Sequence, residues 1–144
     1  MKNTLLILSV IFILASCGKY EKPFISFKSP EKRLMDKTWK LDKIIDENGN
    51  ESTPNQTFNF KIEGNDSIVT RTSGNETFTG TWNWLPALDG KVNKQVLEIR
   101  MNSSLNPTTF LIRYDVKVLT SKKLELIDRN SSLNANDRLY LSAE

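Results

Sequence analysis

The side chains that could do chemistry are few, and their types narrow the options quickly. Histidine is absent and cysteine occurs once, at Cys17. The usual general base, the usual triad partner and the usual zinc ligand are therefore missing together. Catalysis would have to run on Asp, Glu, Lys, Tyr, Ser or Thr. Paired carboxylates can hydrolyse a glycoside, and Glu98, Asp115 and Glu125 are the acids to consider. Each stands on the polar side of an alternating run, with Arg or Lys interleaved, so solvated cross-strand ion pairs are expected instead. The stretch DENGNESTPNQT, from Asp46 to Thr57, begins like a calcium loop, with Asp46, Asn48 and Asn50 at alternate positions. Its sixth position is Glu51 rather than Gly and its twelfth is Thr57 rather than Glu, so it reads as an ordinary loop. No Gly-x-Ser-x-Gly and no phosphate-cradling glycine loop occurs. The expectation is a protein that is not an enzyme and holds no metal or cofactor.

Binding chemistry is better represented. Trp39, Phe58, Phe60, Phe78, Trp82, Trp84, Phe110 and Tyr114 fall mostly on the apolar side of alternating runs. They could line a pocket for an acyl chain, an isoprenoid or another small hydrophobic ligand. They could equally fill a core, since large aromatics dominate core burial. The loops are rich in Asn: Asn48, Asn50, Asn55, Asn75, Asn102, Asn106, Asn130 and Asn134. Amides can hydrogen-bond sugar hydroxyls, but Asn also favours turns because it tolerates left-handed backbone.

The elements that hold these residues show as changes of period. After Lys2, Leu5 to Ala15 is almost unbroken apolar sequence. That is shorter than the roughly 20 residues needed to span a bilayer, and has the layout of a secretory signal. Ser29, Pro30 and Glu31 suit the N-cap and first turn of a short helix over 30–37. Lys32 stands where a capping box would need Glu. Beyond it the apolar residues recur every second position, predicting strands over 39–45, 56–62, 67–72, 76–85, 95–101, 108–119, 124–128 and 138–142. In the run over 108–119, Phe110, Ile112, Tyr114, Val116 and Val118 share the apolar face. Turn residues separate the runs: EGND, SGN, LDGKVN, NSSLNP, TSKK and NSSLNAND. Eight strands in simple succession, each with one apolar face, are best served by closing into an all-β antiparallel up-and-down barrel, which removes exposed edges. The helix then caps the end where the first strand starts, and the Asn-rich loops share the opposite rim.

Two resemblances add an address. Leu14-Ala15-Ser16-Cys17 resembles the lipobox of bacterial lipoproteins. That resemblance implies diacylglycerol on the Cys17 thiol, cleavage just before it, and acylation of the new amino group by a chain such as palmitate. One acyl chain holds a protein marginally, whereas two or three hold it firmly, at about 0.8 kcal/mol per buried methylene. It implies a signal peptide over 1–16 and a lipidated tether over 17–29, and it accounts for a lone cysteine in an exported chain. Removing Lys2 lowers the formal charge from +3 to +2, which does not argue for nucleic acid as a partner. Gly18 after the cysteine and the sparse acidity of GKYEK point to the outer membrane, on its periplasmic side.

The second resemblance spans roughly 31–142. DKTWKL, FNFKIEGNDSI, GTWNW, VLEIRM and YDVKVLTSKKLELID together look like the small lipocalin-like lipoproteins of Bacteroidetes-type bacteria. It implies a lipocalin-like domain over 30–144, an eight-stranded barrel behind a lipidated cysteine. Lipocalins open the first strand with Gly-x-Trp, whereas Lys37 precedes Thr38-Trp39 here. In that family the tryptophan packs under an arginine of the last strand region, which makes Arg138 the expected partner of Trp39. Asp66-Ser67-Ile68 resembles the O-glycosylation triplet of exported Bacteroidetes proteins, with Ser67 as acceptor. The implied function is a lipid-anchored barrel that binds or carries a small apolar ligand. The alternative is a filled barrel that binds a protein or glycan at the cell envelope.

Overall fold

The computed structural model describes residues 28–86, 95–104, 108–129 and 136–144. The expectations for Cys17, the signal and most of the tether lie outside them, as do Asn106, Asn130 and Asn134. Among the described residues one short helix, α1 (Pro30–Leu34), precedes nine strands: β1 (Thr38–Ile45), β2 (Glu51–Ser52), β3 (Gln56–Glu63), β4 (Asp66–Ser73), β5 (Glu76–Pro86), β6 (Gln95–Ser103), β7 (Thr109–Leu119), β8 (Lys123–Asp128) and β9 (Arg138–Ala143). From β3 to β9 each strand pairs antiparallel with the next. Pairings β1–β3 and β1–β9 close the ring. The chain is therefore an eight-stranded antiparallel up-and-down barrel with a short N-terminal helix. The two-residue β2 falls in the loop after β1 and folds back onto Ile44 and Ile45, a pairing that the Asn-rich composition concealed.

Local chemistry sets the turns. β3–β4 and β4–β5 are joined by Gly64-Asn65 and Gly74-Asn75, with glycine φ of 64° and 58°. A two-residue hairpin with left-handed backbone at its first position is the type II′ turn, whose twist suits the flanking strands. These tight turns fix register, so that Phe58 faces Arg71 and Arg71 faces Phe78.

The helix stops earlier than 37. Ser29 Oγ accepts from Lys32 N–H, but Met35 is already extended (φ −79°, ψ 169°) and Asp36 is left-handed at φ 60°. Asp36 N–H donates to the Phe60 carbonyl at 3.2 Å, which commits the chain to the barrel wall instead of another helical turn. Two irregularities in pairing re-aim side chains. The β7–β8 register shifts between Val116 and Val118, so the buried residue after Val116 is Leu119 and not Val118, as strict alternation predicts. The β1–β9 register shifts likewise between Leu41 and Lys43.

Gly80 marks the tightest point of the wall. A Cβ there would run into the Arg100 carbonyl oxygen on β6, so only glycine fits. Ser67, the expected glycan acceptor, is half-buried in β4 opposite Ile62.

Candidate functional site

The interior divides into a sealed zone near α1 and a shallower zone at the opposite, open end. In the sealed zone Trp39 is fully buried and its Nε1–H donates to the Leu34 carbonyl at 2.8 Å, so the indole satisfies a carbonyl at the helix end. Lys37, not Arg138, supplies the cation: its Nζ lies 5.2 Å from the Trp39 ring centre and donates to the Ser121 carbonyl at 2.9 Å. Arg138 pairs with Ile45 at the far end of β1, while Trp39 pairs with Ala143. The antiparallel register separates Arg138 from the tryptophan by the length of the strand, and the expected pairing is not formed.

Five of the eight aromatics expected to line a pocket, Trp39, Phe58, Phe60, Trp82 and Tyr114, are buried in the core with Leu97, Ile99, Met101 and Leu126. Phe58 stacks on Phe60 at 6.3 Å, Phe60 meets Trp82 edge-on at 6.0 Å, and Trp82 meets Trp84 edge-on at 6.3 Å. Rings at these separations satisfy one another. Trp82 Nε1–H donates to the Lys61 carbonyl at 3.2 Å. Trp84 is half-buried beside them.

The open end differs. Phe78 is half-buried and Phe110, expected inside, is 41 % exposed; the two rings meet edge-on at 6.2 Å. Beside them is the residue that period-two reading overlooked. Arg71 shares the inner face of β4 with Val69, and its guanidinium carbon lies 5.1 Å from the Phe78 ring and 5.8 Å from the Phe58 ring. Its Nε–H donates to Gln56 Oε1 at 3.2 Å. Ring faces on both sides make a partly buried cation tolerable there. The signal was present in SIVTRTS, where Arg71 has the parity of Val69, and in the two-residue turns that set it between two phenylalanines.

The surrounding polar groups are few. Tyr114 pairs with Asp128 across β7–β8. Burial foremost, with the Asp128 charge adding, pushes the Tyr114 phenol well above its ordinary value, and the Arg71 charge offsets part of this. Glu76 Oε1 accepts the Ser103 hydroxyl at 2.5 Å.

Two of the three acids considered for catalysis are bound into ion pairs on the outer wall, where Glu98 is buried and not solvated as expected. Glu98 accepts from Arg113 Nε at 2.8 Å and lies 3.4 Å from Arg100, and Asp115 pairs with Arg129 at 2.8 Å. Glu125 pairs with Val118 and Tyr140 on the same wall. Asp46 turns its carboxylate onto its own loop, accepting from Asn48 N–H at 2.9 Å, Asn50 N–H at 2.8 Å and Asn50 Nδ2 at 2.8 Å. The Asn50 side-chain bond foremost holds that carboxyl below its ordinary value. Asn48 and Asn50 thus serve the turn. Three grooves of about 480, 570 and 470 Å³ lie at the rim and on the outer wall, and none is lined by any of the eight aromatics.

No family model matches this sequence, and neither does any curated protein. Among solved structures the chain is similar to one described as the NMR structure of the protein from Burkholderia xenovorans. The identity is 12 %, the TM-score 0.46, and the match covers 83 % of this chain and 92 % of the other.

Proposed function

We propose that this chain is a lipid-anchored envelope barrel without a catalytic role, which takes a small, largely apolar molecule at its open mouth and not deep in its lumen. The observation that carries this reading is the division of the aromatics. Trp39, Phe58, Phe60, Trp82 and Tyr114 are consumed by packing, whereas Phe110 is left 41 % exposed against Phe78 at the open end. Two ring faces beside a polar anchor suit a ligand with an apolar body. The lipobox-like Leu14-Ala15-Ser16-Cys17 supports attachment to the membrane through acyl chains on Cys17, with the outer membrane, periplasmic side, as the expected location.

A hydrophobic dye titrated into the protein should bind saturably, and Phe110→Ser should weaken it severalfold. A dye that does not saturate, or that binds the Phe110→Ser protein unchanged, contradicts the reading. The filled core also favours a second reading, in which the barrel is a rigid scaffold whose rim or outer face binds a protein or glycan. Absence of saturable binding by any apolar probe would favour it.

A further inference from the structure

We infer that a second copy of this chain docks on the outer wall over β8, β9 and β1, in an isologous dimer whose two-fold axis runs along β9. This goes beyond the ligand reading and does not depend on it.

The wall is laid out symmetrically about β9. Glu125, Tyr140 and Lys43 stand in one cross-strand row on β8, β9 and β1. The next row towards the rim is Ile127, Arg138 and Ile45. On the other side Lys123 pairs with Ser142, and Asp42, the extra residue where the β1–β9 register shifts, accepts the Ser142 hydroxyl at 2.9 Å. Flanking residues on β8 and β1 are therefore opposite in charge in two rows and both apolar in the third. Tyr140 and Lys43 line a groove with half-buried Val118, and Lys43 Nζ lies 5.3 Å from the Tyr140 ring centre. Among the described residues neither Lys123 nor Glu125 has an ion-pair partner, whereas Glu98 and Asp115 further round the wall do.

A two-fold axis over β9, parallel to the strand and in the plane of contact, exchanges β8 with β1. It sets Lys43 against Glu125 of the second copy, Asp42 against Lys123 and Ile45 against Ile127, each contact occurring twice. Opposite charges steer this docking and fix its register. Like charges meet only where Arg138 faces its own copy, at the rim, and there Asp46 and Glu47 line the same groove. An axis across the strands, between the Tyr140 and Ser142 rows, would also match charges, but it leaves Ile45 and Ile127 uncovered. The axis along β9 keeps the two copies of that strand parallel. Both copies then present α1 in the same direction, which suits two chains anchored in one leaflet. The patch spans β7 to β1, about 14 Å, by roughly 20 Å along the strands. That is below the standard interface, so the dimer belongs to the weak class.

Sedimentation of the full chain in density-matched detergent, over a concentration series, should show a monomer–dimer equilibrium. Asp42→Lys and Lys123→Asp should each weaken it roughly tenfold, since each change acts at two symmetric contacts. The two together should restore it to within about threefold, a rescue that loss of folding cannot mimic. A short bis-maleimide should join Ser142→Cys to its own copy. Thr79→Cys, on β5 across the barrel, should link no more than the parent, which carries Cys17 alone. A chain that stays monomeric throughout, or single variants that the double does not rescue, overturns the inference. A dimer in which Ser142→Cys does not link has a different axis and overturns it as well. Neither result bears on ligand binding at the mouth.

Discussion

Trp39 at the head of β1 donates its indole N–H to the carbonyl of Leu34, the last residue of α1, at 2.8 Å, with neither residue exposed. The strand and the helix that covers it are thereby joined by one side chain. Trp39→Phe keeps most of the apolar volume but leaves a buried carbonyl unpaired, and should cost about 1–3 kcal/mol. Trp39→Ala adds a cavity and should cost about 3–5 kcal/mol. Arg138→Ala should stay within about 0.5 kcal/mol, since that side chain is exposed at the other end of the barrel. Urea midpoints of the three variants check this, and a large Arg138 effect would contradict the assigned partner.

Gly80 is expected to be intolerant of any side chain. A methyl group there would run into the β6 backbone at Arg100 and Met101, and main chain cannot rotate aside. Gly80→Ala should destabilise by about 3 kcal/mol or more. An unchanged urea midpoint would mean that β5 and β6 do not approach as closely as described.

Stability should depend on pH through two acids of opposite sign. The hydrogen bond from Arg113 foremost holds the Glu98 carboxyl below its ordinary value of 4.5, with burial opposing and the Arg113 and Arg100 charges adding. A depressed folded-state value means that this contribution is present above the unfolded value and is lost as pH falls through the folded one. Glu98→Gln should therefore be less stable than the parent at neutral pH, the gap closing in acid. Asp137 is shifted the other way, by burial foremost and then by the Asp46, Asp128 and Glu47 charges. Its ionised form disfavours the fold, so Asp137→Asn should be more stable than the parent at neutral pH, with the gain fading in acid. Urea midpoints across the carboxylate range measure both.

Membrane attachment has its own test. The parent should partition with membranes and the Cys17→Ala protein should not, because acyl chains and no spanning segment are expected to hold it. A Cys17→Ala protein that stays with membranes as the parent does would remove the anchor from the account.

Much of the architecture was legible because two periods and a few turn residues specify it. Phe58, Phe60 and Ile62 against Thr57, Asn59 and Lys61 announce β3, and Gly64-Asn65 and Gly74-Asn75 set the hairpins that follow it. Register shifts were not legible, since an extra residue in β7 moves burial from Val118 to Leu119 without changing the composition. Nor was the end of α1, which is set by Asp36 bonding to Phe60 on a strand two dozen positions later. The aromatic set was recognised, but alternation reports only a face and not a depth, so sealed Phe60 and rim-exposed Phe110 look alike in sequence. Arg71 was missed because a charged residue on an inward parity is easily taken for an edge of the pattern. The Trp39 partner was misassigned because family analogy pointed to Arg138, where the register places Lys37.

The claim that binding sits at the mouth is tested most directly by backbone amide shifts on titration with phenylbutanol. The largest, saturable shifts are expected at Arg71, Phe78, Ser103 and Phe110, with Trp39, Leu97 and the Trp82 and Trp84 indoles nearly still. Shifts centred on the Trp82 and Trp84 indoles, or spread over the outer wall with the mouth unmoved, would contradict it.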